Sequence, residues 1–217
     1  EETNRSVQAS VRNARARLTT TRRMRPDYKY ELMQMFARRQ LGIAMGLTVL
    51  ASVIALIMAL WIPPAVVAVW LTTVFGGKAI ILGLARWFRR QSQEKADIRR
   101  WQLRFMLAEL IYGTCWASLS AISIVSSAHN AAPHVVAFVA LVLMLSLRTM
   151  MAGAMASIVY MGTIPVTVAI LFGALLMQEP MFLALAGITV CAQVYFLLVA
   201  KRLSADTLDM FELLAQK

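Results

Sequence analysis

The sequence predicts an all-α membrane protein: a six-transmembrane-helix bundle with both termini cytoplasmic, a basic amphipathic N-terminal segment and a cytoplasmic exit helix. Three observations predict it. Of 217 residues, 59% are hydrophobic and 15% charged, which is too apolar for a soluble domain that must cover itself with polar surface. The apolar residues gather into windows long enough to cross about 30 Å of hydrocarbon as helices. The Lys and Arg residues fall on alternate connections, as they do when basic loops are retained in the cytoplasm.

Residues 1–40 form the basic segment and carry ten Lys or Arg. Val7, Val11, Ala14 and Leu18 recur at spacings of four, three and four, while Arg12, Arg15, Arg17, Arg22 and Arg23 fill the other positions. That pattern suits an amphipathic helix on an anionic leaflet or against another helix, with a plain solvated tail as the alternative. Pro26 and Asp27 then restart the chain, and "YKYELMQMFARRQ" leads into the first span. The first residue is Glu1 and no signal-peptide pattern occupies the first 30 positions, so the chain reads as processed or truncated.

Residues 41–200 form the bundle, with apolar windows at 41–61, 64–85, 105–126, 135–153, 156–177 and 181–200. The first holds 21 consecutive uncharged residues, Leu41 to Trp61. Pro63 and Pro64 break the first pair, "SSAHNAAPH" parts the third from the fourth, and "QEP" parts the fifth from the sixth. Those turns carry no Lys or Arg, whereas Arg86 to Arg104 carries seven and the sixth window runs into Lys201 and Arg202. The asymmetry puts both termini in the cytoplasm and Trp61, Trp87 and Trp101 at the interfaces. The net charge of +11 then faces an anionic inner leaflet, and nucleic acid is an unnecessary partner.

Three charges remain inside the windows: Lys78, Glu109 and Arg148. Were Arg148 itself the cytoplasmic turn, the flanking spans would be badly unequal, about 21 Å and about 43 Å. A turn in "AGAMAS" equalises them and leaves Arg148 one to two turns inside, at a depth similar to Glu109 and Lys78. Equal depth leaves three readings open: independent snorkelling, a Glu109–Arg148 pair that fixes helix packing, and a switch or proton relay.

No catalytic, cofactor-binding or metal-binding set emerges from the residues. His129 and His134 lack a carboxylate or cysteine partner. "GGK" at 76–78 lacks the flanking residues of a phosphate-binding loop. Cys115 and Cys191 are expected to be small buried hydrophobes. "GIAMG", Gly42 to Gly46, and the pair Gly153 and Ser157 are weak helix-packing signals, and the fourteen Met residues read as adaptable packing.

Residues 201–217, the connector, contain no helix breaker, so the sixth span is expected to continue as one helix. Leu203, Thr207, Met210 and Leu214 can form a coiled-coil seam, as can Ser204, Leu208, Phe211 and Ala215. With "VYFLLVAKRLSADTLDMFELLAQK" leaving six short-looped spans behind a basic segment, the chain resembles the membrane-sensor region of alphaproteobacterial receptor-type sensor histidine kinases. Similar regions precede diguanylate cyclase and phosphodiesterase modules. The resemblance implies a bacterial inner-membrane location, a homodimer and a sensory, anchoring role. The kinase group's phosphoacceptor helix and ATP-lid glycines are absent from these 217 residues, so the resemblance assigns no catalytic residue. The alternative is an accessory or transport subunit, for which Pro165 can supply a broken span but no internal repeat is visible.

Overall fold

The computed structural model describes residues 26–42, 44–91, 97–126, 131–150 and 155–215, which form seven α-helices and no strand. In chain order they are α1 (Pro26–Gly42), α2 (Ala44–Met58), α3 (Pro64–Arg89), α4 (Ile98–Ser126), α5 (Ala131–Met150), α6 (Ala156–Met177) and α7 (Pro180–Ala215). The predicted stripe Val7, Val11, Ala14 and Leu18 lies outside the described residues, as do His129 and Gly153.

Local chemistry sets several of the ends. Pro64 occupies the first turn of α3, where its missing N–H costs nothing. Just before it, residues 59–62 leave the helix in a tightened turn, with the Leu60 and Trp61 N–H groups on the Ile57 and Met58 carbonyls. α6 closes on Gln178 in the left-handed region (φ 53°), whose N–H reaches the Ala174 carbonyl, and Pro180 opens α7. Pro165 sits inside α6 without ending it.

Five helices are long and apolar enough to cross a membrane: Pro64–Arg89, Ile98–Ser126, Ala131–Thr149, Ser157–Met177 and Pro180–Val199. This is a multi-pass, all-helical membrane protein. The first predicted window departs from expectation. Its helix, α2, has 15 residues, about 22 Å, and the pair Tyr30–Gly42 and Met45–Met58 is bent by 43°. Elsewhere α6 coincides with its window, whereas α3 and α4 outrun theirs. α3 continues to Arg89 and α4 begins at Ile98, because hydropathy marks only the apolar part of a helix while the polar flanks here hold no breaker.

α1 runs through residue 40 to Gly42. Over its described length α1 buries Tyr30, Met33, Phe36 and Ala37 on one face. That face packs on Ala85 and Phe88 of α3, Trp101 and Phe105 of α4, and Ile158 and Val159 of α6. A larger core, including Met58, Trp70, Trp116, Met144, Val166 and Phe182, joins α2 through α7. Between the two cores lies a layer of polar side chains.

Candidate functional site

Lys78 of α3, Glu109 of α4 and Arg148 of α5 meet in that layer, 4%, 0% and 1% exposed. None of the three side chains snorkels to the surface of the bundle. The Arg148 Nη2 and Glu109 Oε2 atoms form an ion pair. The connection to Lys78 is indirect and runs through a residue that sequence reasoning missed. Gln40, on the buried face of α1, donates from Nε2 to Glu109 Oε1 (3.0 Å) and accepts at Oε1 from Lys78 Nζ (3.1 Å). One amide thus bridges an anion and a cation, using both ends of its dipole.

Tyr112, one turn along α4 from Glu109, supplies an aromatic face to both cations. Its ring centroid is 5.7 Å from Lys78 Nζ and 5.1 Å from Arg148 Cζ, within the reach of a cation–π interaction. Two cations and one carboxylate leave the layer with a formal charge of +1 (+2 − 1). Arg148 Nη1 has no hydrogen-bond partner among the described residues.

Glycine makes the room for this pair. A Cβ on Gly162 of α6 would meet Arg148 Nη2 and the Glu109 carbonyl oxygen at 3.0 Å and Glu109 Oε2 at 3.1 Å. A Cβ on Gly113 of α4 would run into the Gly162 backbone itself. α4 and α6 therefore cross glycine on glycine, with the ion pair on the flank of the crossing. The packing signals read at Gly42 and Gly46 are corrected by this finding: nothing lies within 4 Å of a Cβ at either. Neither Gly113 nor Gly162 could be singled out beforehand, because a small residue in an apolar run carries no signal until its opposing helix is known.

At the far end of the bundle His134 of α5 is buried, its Nδ1 3.3 Å from Ser123 Oγ of α4 and its ring edge-on to Phe182 of α7. Beside it is a cavity of about 40 Å³ bounded by Ser120, Ile170 and Gly173 among others. Among the described residues no three His, Cys, Asp or Glu side chains lie together as a metal site. Both cysteines are unpaired and neither is fully buried as expected: Cys115 is half-buried and Cys191 is exposed on α7. The candidate seam Leu203, Thr207, Met210 and Leu214 lies on the helical backbone of α7, and its side chains fall outside the described ones.

No protein-family model, curated protein or solved structure matches the chain. What the site can do therefore rests on its geometry. With no nucleophile beside a base, the layer holds charge and ties α1, α3, α4 and α5 in one register.

Proposed function

We propose that this chain is the membrane-embedded input module of a signal-transduction receptor, with a two-component sensor histidine kinase as the first candidate. In this reading it makes six crossings of a bacterial inner membrane, both termini cytoplasmic, with the bent pair α1 and α2 completing the first. The Lys and Arg distribution supports that sidedness, since Arg86 to Arg104 carries seven and the turns at 59–63 and 178–180 carry none.

One observation carries the functional reading. α7 runs unbroken for 36 residues from Pro180 to Ala215, although its apolar part ends at Val199. The remaining helix extends about 24 Å past the apolar part. A continuous helix is what transmits rotation or registry out of a bundle, and two chains joined along Leu203, Thr207, Met210 and Leu214 would couple their outputs. The reading as a transport or accessory subunit keeps one supporting observation, the buried charge layer, because intramembrane ionisable groups also line ion pathways.

A single-cysteine scan on a Cys115→Ser, Cys191→Ser background tests the proposal. Cysteines at Leu203, Met210 or Leu214 should crosslink efficiently between chains, and ones at Asp206 or Glu212 poorly. An impermeant thiol reagent applied to intact cells should label Gln178→Cys and spare Met210→Cys. Uniform or absent crosslinking would leave the accessory-subunit reading the better one, and inverted labelling would overturn the sidedness.

A further inference from the structure

Arg104 of α4 is exposed, yet it is held. Its guanidinium carbon lies 5.1 Å from the ring centroid of Trp87 on α3 and 4.9 Å from that of Trp101 on α4. The two rings themselves meet edge-on, with centroids 5.0 Å apart. The notch is braced from behind: Trp101 Nε1 donates to Gln91 Oε1 (2.8 Å) and the Tyr30 hydroxyl donates to the Gln91 carbonyl (2.9 Å). A guanidinium laid against aromatic faces keeps its edge donors pointing outward in a fixed fork, the geometry that matches a phosphate. Among the described residues Arg104 forms no ion pair.

The notch opens onto a track. Thr73, Gly76, Ile80, Gly83 and Trp87 recur at three and four along α3, and all are exposed. Arg104, Leu107, Ile111 and Thr114 do the same along α4 and end at half-buried Ser118. At the deep end of the two stripes lies an open groove lined by Thr73 of α3 and by Leu110, Ile111, Thr114, Cys115 and Ser118 of α4. Gly76 and Gly83 leave the α3 wall low, with nothing within 4 Å of a Cβ at either. From Arg104 to Ser118 the track runs about 21 Å, more than half of the roughly 30 Å hydrocarbon core. It therefore begins at a cation among interfacial tryptophans and ends deep among apolar and small hydroxyl side chains.

We infer that this face binds one anionic phospholipid, its phosphate on the Arg104 guanidinium between Trp87 and Trp101 and an acyl chain along the α3–α4 groove. The inference rests on the chain's place in a membrane and is independent of the sensory reading. A phosphate in solution shares the headgroup chemistry, but it has no use for the groove.

Thermal unfolding of the full chain in a neutral detergent tests this, with added phosphatidylglycerol, phosphatidylcholine of the same acyl chains, or inorganic phosphate. Phosphatidylglycerol should stabilise the wild type more than phosphatidylcholine does, and inorganic phosphate should not stabilise it. Arg104→Gln should weaken the apparent phosphatidylglycerol affinity by about fivefold, the worth of one arginine near an anionic surface. Arg202→Gln, which removes another exposed charge elsewhere, should change it much less. Gly76→Leu, which places a bulky side chain in open space on the α3 stripe one turn from the groove residue Thr73, should weaken phosphatidylglycerol binding with no change in charge or in lipid-free stability. Equal losses for Arg104→Gln and Arg202→Gln would mean general surface electrostatics and overturn the site. So would protection by inorganic phosphate alone, or a Gly76→Leu chain that binds lipid normally but loses self-association, which would give the groove to a second copy.

Discussion

The same two helices, α4 and α6, behave differently at their two ends. Near Arg148 they close until a single added methyl group on Gly113 or Gly162 meets backbone or the ion pair. Near His134 they meet through side chains instead: the Ser120 hydroxyl donates to the Ala169 carbonyl (3.3 Å) and lies 2.8 Å from where a Cβ on Gly173 would sit, beside a cavity of about 40 Å³, room for a few waters. The first end holds two cations and a carboxylate in a closed layer, whereas the second is served by hydroxyls and an imidazole, those of Ser120, Ser123 and His134. An ion pair inside an apolar bundle tolerates little slack. Its desolvation cost is recovered only when each partner stays in place, and the glycine crossing fixes the distance between the helices that flank it. The other end has no such requirement, and its close approach at Gly173 is to a side-chain hydroxyl that can rotate, with open space beside it.

The largest expected effect follows from removing the anion. Glu109→Gln leaves Arg148 buried with no carboxylate and should destabilise the bundle by about 3–5 kcal/mol, read as a shift of the unfolding midpoint in mixed micelles. Arg148→Gln combined with it should cost clearly less than the two single losses together, since the pair is removed as a unit. Additive losses would separate Glu109 from Arg148 energetically and dissolve the contrast between the two ends.

How much of this was legible beforehand depends on what carries a signal. Lone charges in apolar windows stand out, so Lys78, Glu109 and Arg148 could be grouped by depth alone. Gln40 could not, because an amide has no formal charge and this one ends a segment whose arginines dominate any pattern; only the helical spacing from Tyr30 through Met33 and Ala37 marks its face. Five of the apolar windows correspond to long helices. The first gave a shorter helix, because an uncharged run sets where a span can lie and not where Pro63 and the turn before it will end the helix. Trp87 and Trp101 read as interfacial aromatics, but the stacking of Arg104 on both depends on how α3 and α4 meet.

A middle-sized effect belongs to the crossing. Gly113→Ala drives a methyl group into the Gly162 backbone, which cannot swing aside as a side chain would, so α4 and α6 must separate. Overpacking of that kind costs about 1–3 kcal/mol, and here the separation should also loosen the ion pair beside it. Gly42→Ala is the matched control, since open space surrounds that position, and its effect should stay within about 0.5 kcal/mol. Equal effects from the two substitutions would show that the crossing is not the tight point of the bundle.

The smallest effect is expected at the far end. His134→Leu removes the imidazole that faces Ser123 Oγ at 3.3 Å and replaces it with an apolar side chain of similar bulk. Ser123 is not stranded by the change, because its hydroxyl also donates to the Ser120 carbonyl at 2.8 Å. The lost hydrogen bond is worth about 1 kcal/mol, and the neighbouring cavity gives the branched leucine room to settle without strain. The same micelle unfolding measurement should therefore register a loss below about 1.5 kcal/mol. A loss as large as that of Glu109→Gln would mean that the His134 end is held as tightly as the charged layer, and that the open space beside it is bounded by side chains with no freedom to move.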